Sequence, residues 1–181
     1  MEDLASYILD IVENSIRANS SLINIMIKED TINNILELII EDNGCGMDHD
    51  QLNSVLDPFY TTKCHRRVGL GYPLYYDLSR ECNGEFFIDS KEGVGTISIL
   101  KLPLDHIDLP ILGNIGITIM LLINQNINID YMIEYIYNNN KYLFNTIEYK
   151  LLLEDIDIND PNVLIYIRDI INQNIQNLKE V

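Results

Sequence analysis

An α+β sandwich, an antiparallel or mixed sheet carrying its helices on one face, is the fold that the first 104 residues predict. Three observations lead there. Residues 2 to 18 repeat apolar side chains at three- and four-residue spacing, as an amphipathic helix does. Two stretches, 22 to 28 and 35 to 41, read as strands, the first by alternation and the second as an apolar run rich in branched residues. A glycine-rich loop, a helical stretch and a second strand pair follow in that order, and runs of strands mixed with helices in this way suit a sheet with helices segregated to one side.

In the first helix Leu4, Ile8, Ile11, Val12, Ser15 and Ile16 make the inward stripe, with Asp10 and Asn14 one turn apart at its edge. Such a pair can address something lying across the helix. Asn14 offers a neutral oxygen acceptable to Mg²⁺, which takes few protein ligands and completes its shell with water and phosphate, and Asp10 is placed to orient a water. An ordinary solvated helix edge has the same pattern. Leu22 to Lys28 puts Ile23, Ile25 and Ile27 on one side, Thr31 to Asn34 turns the chain, and Ile35 to Glu41 returns it. The second strand delivers Asp42 to the turn Asn43-Gly44-Cys45-Gly46-Met47. A carboxylate at such a lip accepts hydrogen bonds and gives none, so it suits the amine of adenine and repels the oxygen of guanine. Glycine there tolerates positive φ and lets a flat ligand near the main chain. On its own the pattern is also that of a plain turn.

Asp48 has the look of a cap for a short helix to about Leu56, ended by Asp57-Pro58. Phe59-Tyr60-Thr61-Thr62-Lys63 leads to the one basic cluster, Lys63-Cys64-His65-Arg66-Arg67, then to Val68-Gly69-Leu70-Gly71. Glycines that open a helix, here Pro73 to about Cys82, let main-chain amides point at phosphate with the helix dipole behind them. Gly84 to Ser90 and Gly95 to Leu102 are strands joined by a turn at Lys91 to Val94.

From residue 105 the pattern changes. Residues 105–181 read as a second, αββα-like unit: a helix from Ile111 to Asn124 that is apolar nearly all round, strands from Ile129 to Tyr137 and Tyr142 to Glu148, and a final helix capped by Asp160 with Pro161 at its first position. No chemical constellation stands out in it. It either completes the core or offers a docking or dimerising surface.

Composition bounds the function. With 47% apolar and 22% charged residues the chain is a globular protein's, and 12 basic against 28 acidic residues leave a formal charge of −16. A surface of that sign repels nucleic-acid backbones and anionic lipid, so neither is expected as a partner. No apolar run is long enough to cross a membrane, and the amino end lacks the basic and apolar regions of an export signal. Cys45, Cys64 and Cys82 have no metal-ligand spacing and are expected to be free, buried thiols, so the predicted compartment is the cytoplasm.

Four motifs stand in a fixed order: Asp10-Ile-Val-Glu-Asn14-Ser, Asp42-Asn-Gly-Cys-Gly46-Met, Pro58-Phe-Tyr-Thr-Thr-Lys63 with Val68-Gly-Leu-Gly71, and Glu92-Gly-Val-Gly-Thr96. Together they resemble the Bergerat, or GHKL, nucleotide-binding domain of gyrase, heat-shock chaperones, histidine kinases and mismatch-repair ATPases, and most closely the kinase branch. The resemblance covers residues 1–104. It implies ATP and Mg²⁺ as ligands, with Asn14 reaching the metal and Asp42 accepting from the adenine amine. It further implies that Gly44, Gly46 and Met47 pack the base and that Gly69, Leu70 and Gly71 approach the phosphates. Thr96 would help fix adenine, often through a water, and Lys63, Arg66 and Arg67 would meet the β- and γ-phosphates from the lid.

The sequence departs from the family's pattern in ways that bear on activity. Hydrolytic branches carry glutamate where Asp10 stands, one methylene longer, so Asp10 is a short base and hydrolysis is not the first expectation. Glu13 lies roughly 100° round the helix and faces solvent. Tyr72-Pro73 stands where the kinase branch continues with leucine and a small residue, and no acceptor-histidine hairpin precedes the first motif. The expected role is therefore an ATP-binding regulatory protein that phosphorylates or controls a protein partner in trans, in the manner of anti-sigma factors. The alternatives are a slow, dimerising ATPase switch and a non-catalytic interaction module. The carboxyl-terminal unit resembles the tail of small ATP-binding proteins of anaerobic bacteria, and that resemblance implies no role.

Overall fold

The computed structural model describes residues 3–56 and 71–180. The amphipathic pattern at the amino end becomes α1 (Leu4–Arg17), capped by Asp3, whose carboxylate accepts from the Ser6 amide. The alternating stretches become β1 (Leu22–Asp30) and β2 (Ile35–Asp42), paired antiparallel so that Ile23 faces Asp42 and Ile27 faces Leu38. Asp48 caps α2 (His49–Ser54) in a reciprocal box with Gln51. After the undescribed segment come α3 (Gly71–Glu81), β3 (Glu85–Lys91) and β4 (Gly95–Pro103), and β4 lies between β3 and β2. The helix begins two residues ahead of Pro73.

Beyond residue 104 the chain builds α4 (Ile115–Gln125), β5 (Asp130–Tyr137), β6 (Asn140–Asn145), α5 (Thr146–Leu152) and α6 (Pro161–Lys179). β5 runs parallel to β1, with Ile23 opposite Tyr131 and Ile27 opposite Tyr135, and β6 returns beside it. One mixed sheet of six strands results, in the order β3-β4-β2-β1-β5-β6. A parallel neighbour needs a crossover connection, and the segment from Leu104 through α4 supplies it.

The pleat gives the sheet two unlike faces. Ile23, Ile25, Ile27, Leu38, Ile40, Leu100, Ile133 and Tyr135 point to one side, where they form a single buried cluster with α1, α3, α4 and α6. Among the described residues, no helix of that cluster lies on the other face. Its apolar side chains, Phe87, Met132 and Leu143, are exposed among charges. Two close contacts tie the carboxyl-terminal helices down. Gly116 lets α4 cross α6 so tightly that a Cβ there would lie 2.3 Å from the Arg168 carbonyl oxygen. At the far end of α6, Lys179 donates to Glu29 of β1 at 2.8 Å, and Glu29 also accepts from the Tyr135 hydroxyl.

The structure corrects the sequence reading in four places. Ile111 to Gly113 is not helical: Ile111 and Leu112 present their carbonyls to the amides of Leu4 and Ala5 at 2.9 and 3.0 Å, so this stretch satisfies the bare first turn of α1 instead. α4 starts only after Asn114, and Ile117 and Leu121 are exposed, so it is not buried all round. The second hairpin strand stops at Asn145, whose side chain accepts from the Ile147 amide and starts α5 where the strand was expected to continue. Among the described cysteines, Cys82 is buried but Cys45 is exposed. None of the described helices is long and apolar enough to cross a membrane.

Candidate functional site

Asp42 closes β2 on the helix-bearing side of the sheet and is only 7% exposed. Its carboxylate is held by three donors. Ser15 of α1 reaches Oδ2 at 2.6 Å, while Ser20 and the Gly44 amide reach Oδ1 at 3.1 and 2.8 Å. A carboxylate has about four lone-pair sites, so one acceptor position remains, on Oδ2. Directly across the ladder Thr96 pairs with Asp42 in register. The Thr96 hydroxyl is 2.8 Å from that of Ser90, which also accepts from the Met47 amide at 2.8 Å and donates to the Gly95 carbonyl. Ser90 therefore ties the loop after β2 to the β3–β4 turn.

The loop glycines are demanded by the protein's own atoms. At Gly44 a Cβ would lie 2.7 Å from both Ala18 Cβ and Ser20 Oγ, and Gly46, at φ +65°, sits against the Lys91 carbonyl. The positive φ expected of this turn belongs to Gly46. Gly71, the first residue of α3, abuts α1, where a Cβ would lie 3.0 Å from Asn14 Nδ2. Asn14, Asp42, Gly71 and Thr96 are thus brought to one region, with Ser15 beside Asn14 as the link.

Asn14 Oδ1 accepts from Arg17 at 3.1 Å, and the same guanidinium pairs with Glu13 at 2.6 Å. Glu13 has the outward, structural place its position round the helix predicts. Asp10 lies near enough to Tyr75 to raise that buried phenol's pKa, after burial itself and the Tyr72 phenol. Tyr72, in the first turn of α3, is buried, and burial followed by the Asp42 carboxylate pushes its pKa up as well. Lys63, Arg66, Arg67, Gly69 and Leu70 lie outside the described residues. Among the described residues no three His, Cys, Asp or Glu side chains converge as a metal cage.

At the same strand ends is a groove of about 320 Å³ lined by Asp42, Ser90 and Thr96 together with Asn24, Glu41 and Asp89. It shares Asp42, Ser90 and Thr96 with the cluster and does not reach Asn14 or Gly71.

Residues 2–106 match the family described as histidine kinase-, DNA gyrase B- and HSP90-like ATPases. The chain belongs to this family. Among relatives, Sporulation kinase E of Bacillus subtilis is 42% identical over 64 residues, covering 35% of this chain and 8% of that protein. The signal transduction histidine-protein kinase AtoS of Escherichia coli is 33% identical over 105 residues, covering 58% of this chain and 17% of the relative. The chain therefore spans less than a fifth of the length of these relatives. The fold of this family member is also that of the Aquifex aeolicus MutL ATPase domain complexed with ADP, at TM-score 0.51 and 13% identity, with 80% of this chain and 63% of that one covered. The N-terminal domain of a DNA repair protein gives 0.52 and 16%, over 79% and 52%. Likeness over about four-fifths of the chain extends beyond residue 106.

Several residues of this cluster escaped the sequence reading. Ser15 read as part of the apolar stripe, and a hydroxyl within such a stripe, one residue after Asn14, was its only signal. Ser20 and Ser90 had none beyond lying near turns. Arg17 is a basic last-turn residue, ordinary for a helix carboxyl end, and Tyr72 read only as a departure from the pattern.

Proposed function

We propose that this family member binds an adenine nucleotide with Mg²⁺ on the helix-bearing side of the sheet, and that nucleotide occupancy, or phosphoryl transfer to another protein, controls a protein partner. The observation that carries the reading is Asp42: a buried carboxylate fixed by three donors, with one acceptor position left and Thr96 opposite. The adenine amine donates to that position, whereas guanine would bring an oxygen against it. Met47 and Tyr72 border the base, and Gly71 brings the start of α3, with its amides and dipole, toward the phosphates.

Asn14 is the one protein oxygen assigned to the metal, a modest share that matches the way Mg²⁺ is held through phosphate and water. The metal neutralises phosphate charge, and Lys63, Arg66 and Arg67 are assigned the same task from the lid. For Asn14 to turn its oxygen to the metal, Arg17 must let go of it. Asp10 is assigned to positioning near the terminal phosphate. Its short side chain favours transfer to a partner over hydrolysis.

Titration calorimetry of the full chain with Mg²⁺ and ATP, then with GTP, tests the binding. The parent should prefer ATP, and Asp42→Asn should remove that preference, because an amide both donates and accepts. Equal affinities for ATP and GTP in the parent, or an unchanged preference in the variant, would refute the assignment. Labelled ATP given to the chain with proteins that co-purify with it tests transfer: label on a second protein supports the regulatory reading, and phosphate release dependent on Asp10 overturns it in favour of hydrolysis.

A further inference from the structure

The corner between α5 and α6 exposes apolar side chains that the rest of the protein leaves uncovered. Leu151 and Leu152 are 75% and 77% exposed, and Ile156 and Tyr166 are 54% and 57% exposed. Scattered single apolar residues are normal on a surface, whereas apolar side chains exposed together are what a contact site offers. Leu151, Leu152 and Ile156 follow closely where α5 ends, the Ile156 amide donating to the Leu153 carbonyl at 2.9 Å. Leu152 lies one turn on from Tyr149 along α5, and the phenol of Tyr149 feels that of Tyr166 on α6. Tyr149 also packs on Phe144, with ring centroids 4.7 Å apart, which fixes this corner to the buried core.

The rim is acidic. From Thr146 to Asp160 the sequence holds Glu148, Glu154, Asp155, Asp157 and Asp160 against Lys150 alone. Lys150 is already paired with Asp130 at 2.7 Å, so its charge is spent elsewhere. Arg168, further along α6, is likewise paired with Asp169.

Charge decides what can cover these side chains. A second copy would bring the same carboxylates against these, in a chain whose formal charge is already −16. An anionic membrane or a nucleic acid is repelled for the same reason. We infer that the α5–α6 corner docks a basic amphipathic helix of a protein partner, whose leucine-like anchors cover Leu151, Leu152 and Tyr166 while its lysines or arginines meet Glu154, Asp155 and Asp157. Helix-in-surface recognition of this kind uses anchors at i, i+3 or i+4 and i+7. The inference does not rest on nucleotide occupancy, so its test is run without nucleotide and leaves the reading of Asp42 untouched.

The probe is a fluorescein-labelled 18-residue peptide of leucine and lysine in helical periodicity, with two controls: the same composition scrambled, and glutamate in place of lysine. The full chain should bind the first and neither control. Leu151→Asn with Leu152→Asn should weaken binding at least tenfold, and Asp155→Asn with Asp157→Asn several-fold. Ile32→Asn, on the exposed turn between β1 and β2, should leave it unchanged. Amide chemical shifts of the parent should move in residues 147 to 158 and around Tyr166, a measurement that needs no variant. Shifts confined to other surfaces, equal binding of the scrambled peptide, or sedimentation showing that the corner instead joins two copies overturns the inference.

Discussion

The hold on Asp42 gives the sharpest test of how this site is built. Ser15→Ala deletes a hydroxyl that is 1% exposed as a residue and donates to Oδ2 at 2.6 Å. Hydrogen bonds to a charged group contribute about 1.5–3 kcal/mol, and the oxygen left behind lies too deep for free hydration. For a chain of this size each kcal/mol moves the melting temperature by roughly 2–4 °C, so the expected drop is about 3–12 °C. Ser20→Ala removes a 3.1 Å contact to Oδ1, where the Gly44 amide remains, and should cost less. The assay is a double-mutant cycle by chemical denaturation with Ser15→Ala, Asp42→Asn and the pair. Residues in one network couple by about 0.5–3 kcal/mol, and this pair should fall in the upper half of that range because its acceptor carries charge. A coupling indistinguishable from zero, or a Ser20→Ala loss exceeding that of Ser15→Ala, would show that the carboxylate is not held from α1.

Three further outcomes are expected, the second of them resting on the proposed role of Asn14. Gly116→Ala places a methyl group 2.3 Å from the Arg168 carbonyl, so α4 and α6 must part and stability should fall by about 1–3 kcal/mol in a denaturant titration. Arg17→Ala frees Asn14 Oδ1 from its guanidinium and should tighten Mg²⁺-dependent ATP binding measured by calorimetry, while leaving metal-free nucleotide binding nearly as it was. Burial holds the Tyr131 and Tyr142 phenols at about 12, with Tyr135 raised as well. A raised folded pKa means stability that is complete below about pH 10, where an unfolded tyrosine ionises, and that is lost as pH climbs through the folded value. Tyrosinate absorbance at 295 nm should therefore rise together with the loss of circular dichroism above pH 10; ionisation of most tyrosines in a still-folded chain would contradict the burial.

What could be read in advance was whatever rests on local pattern. The stripe of Leu4, Ile8 and Ile11, the alternation of Ile23, Ile25 and Ile27, and the caps Asp48 and Asp160 all reappear where their spacing put them. The four motifs likewise identified the family. Long-range choices left no such mark. Nothing in the run Tyr131 to Tyr135 says that it will lie parallel to β1, because a central strand reads alike whichever neighbour it takes. Ile111 and Leu112 look helical by their apolarity, yet their carbonyls are used by a helix more than a hundred residues earlier. Asn145 sits in a strand-favouring run, and only its side chain folding back on the Ile147 amide converts that run to a helix. Ser15 and Ser20 are of the same kind: a hydroxyl finds its partner through the tertiary fold, and sequence spacing does not carry that information.

The grip of residues 111 and 112 on the start of α1 has a mechanical side. A helix of 14 residues is a rod of about 21 Å. One end hangs from the crossover that leads to β5, and the other carries Asn14 and Ser15. Any displacement of the distal half is therefore levered onto the very residues that steady the Asp42 carboxylate.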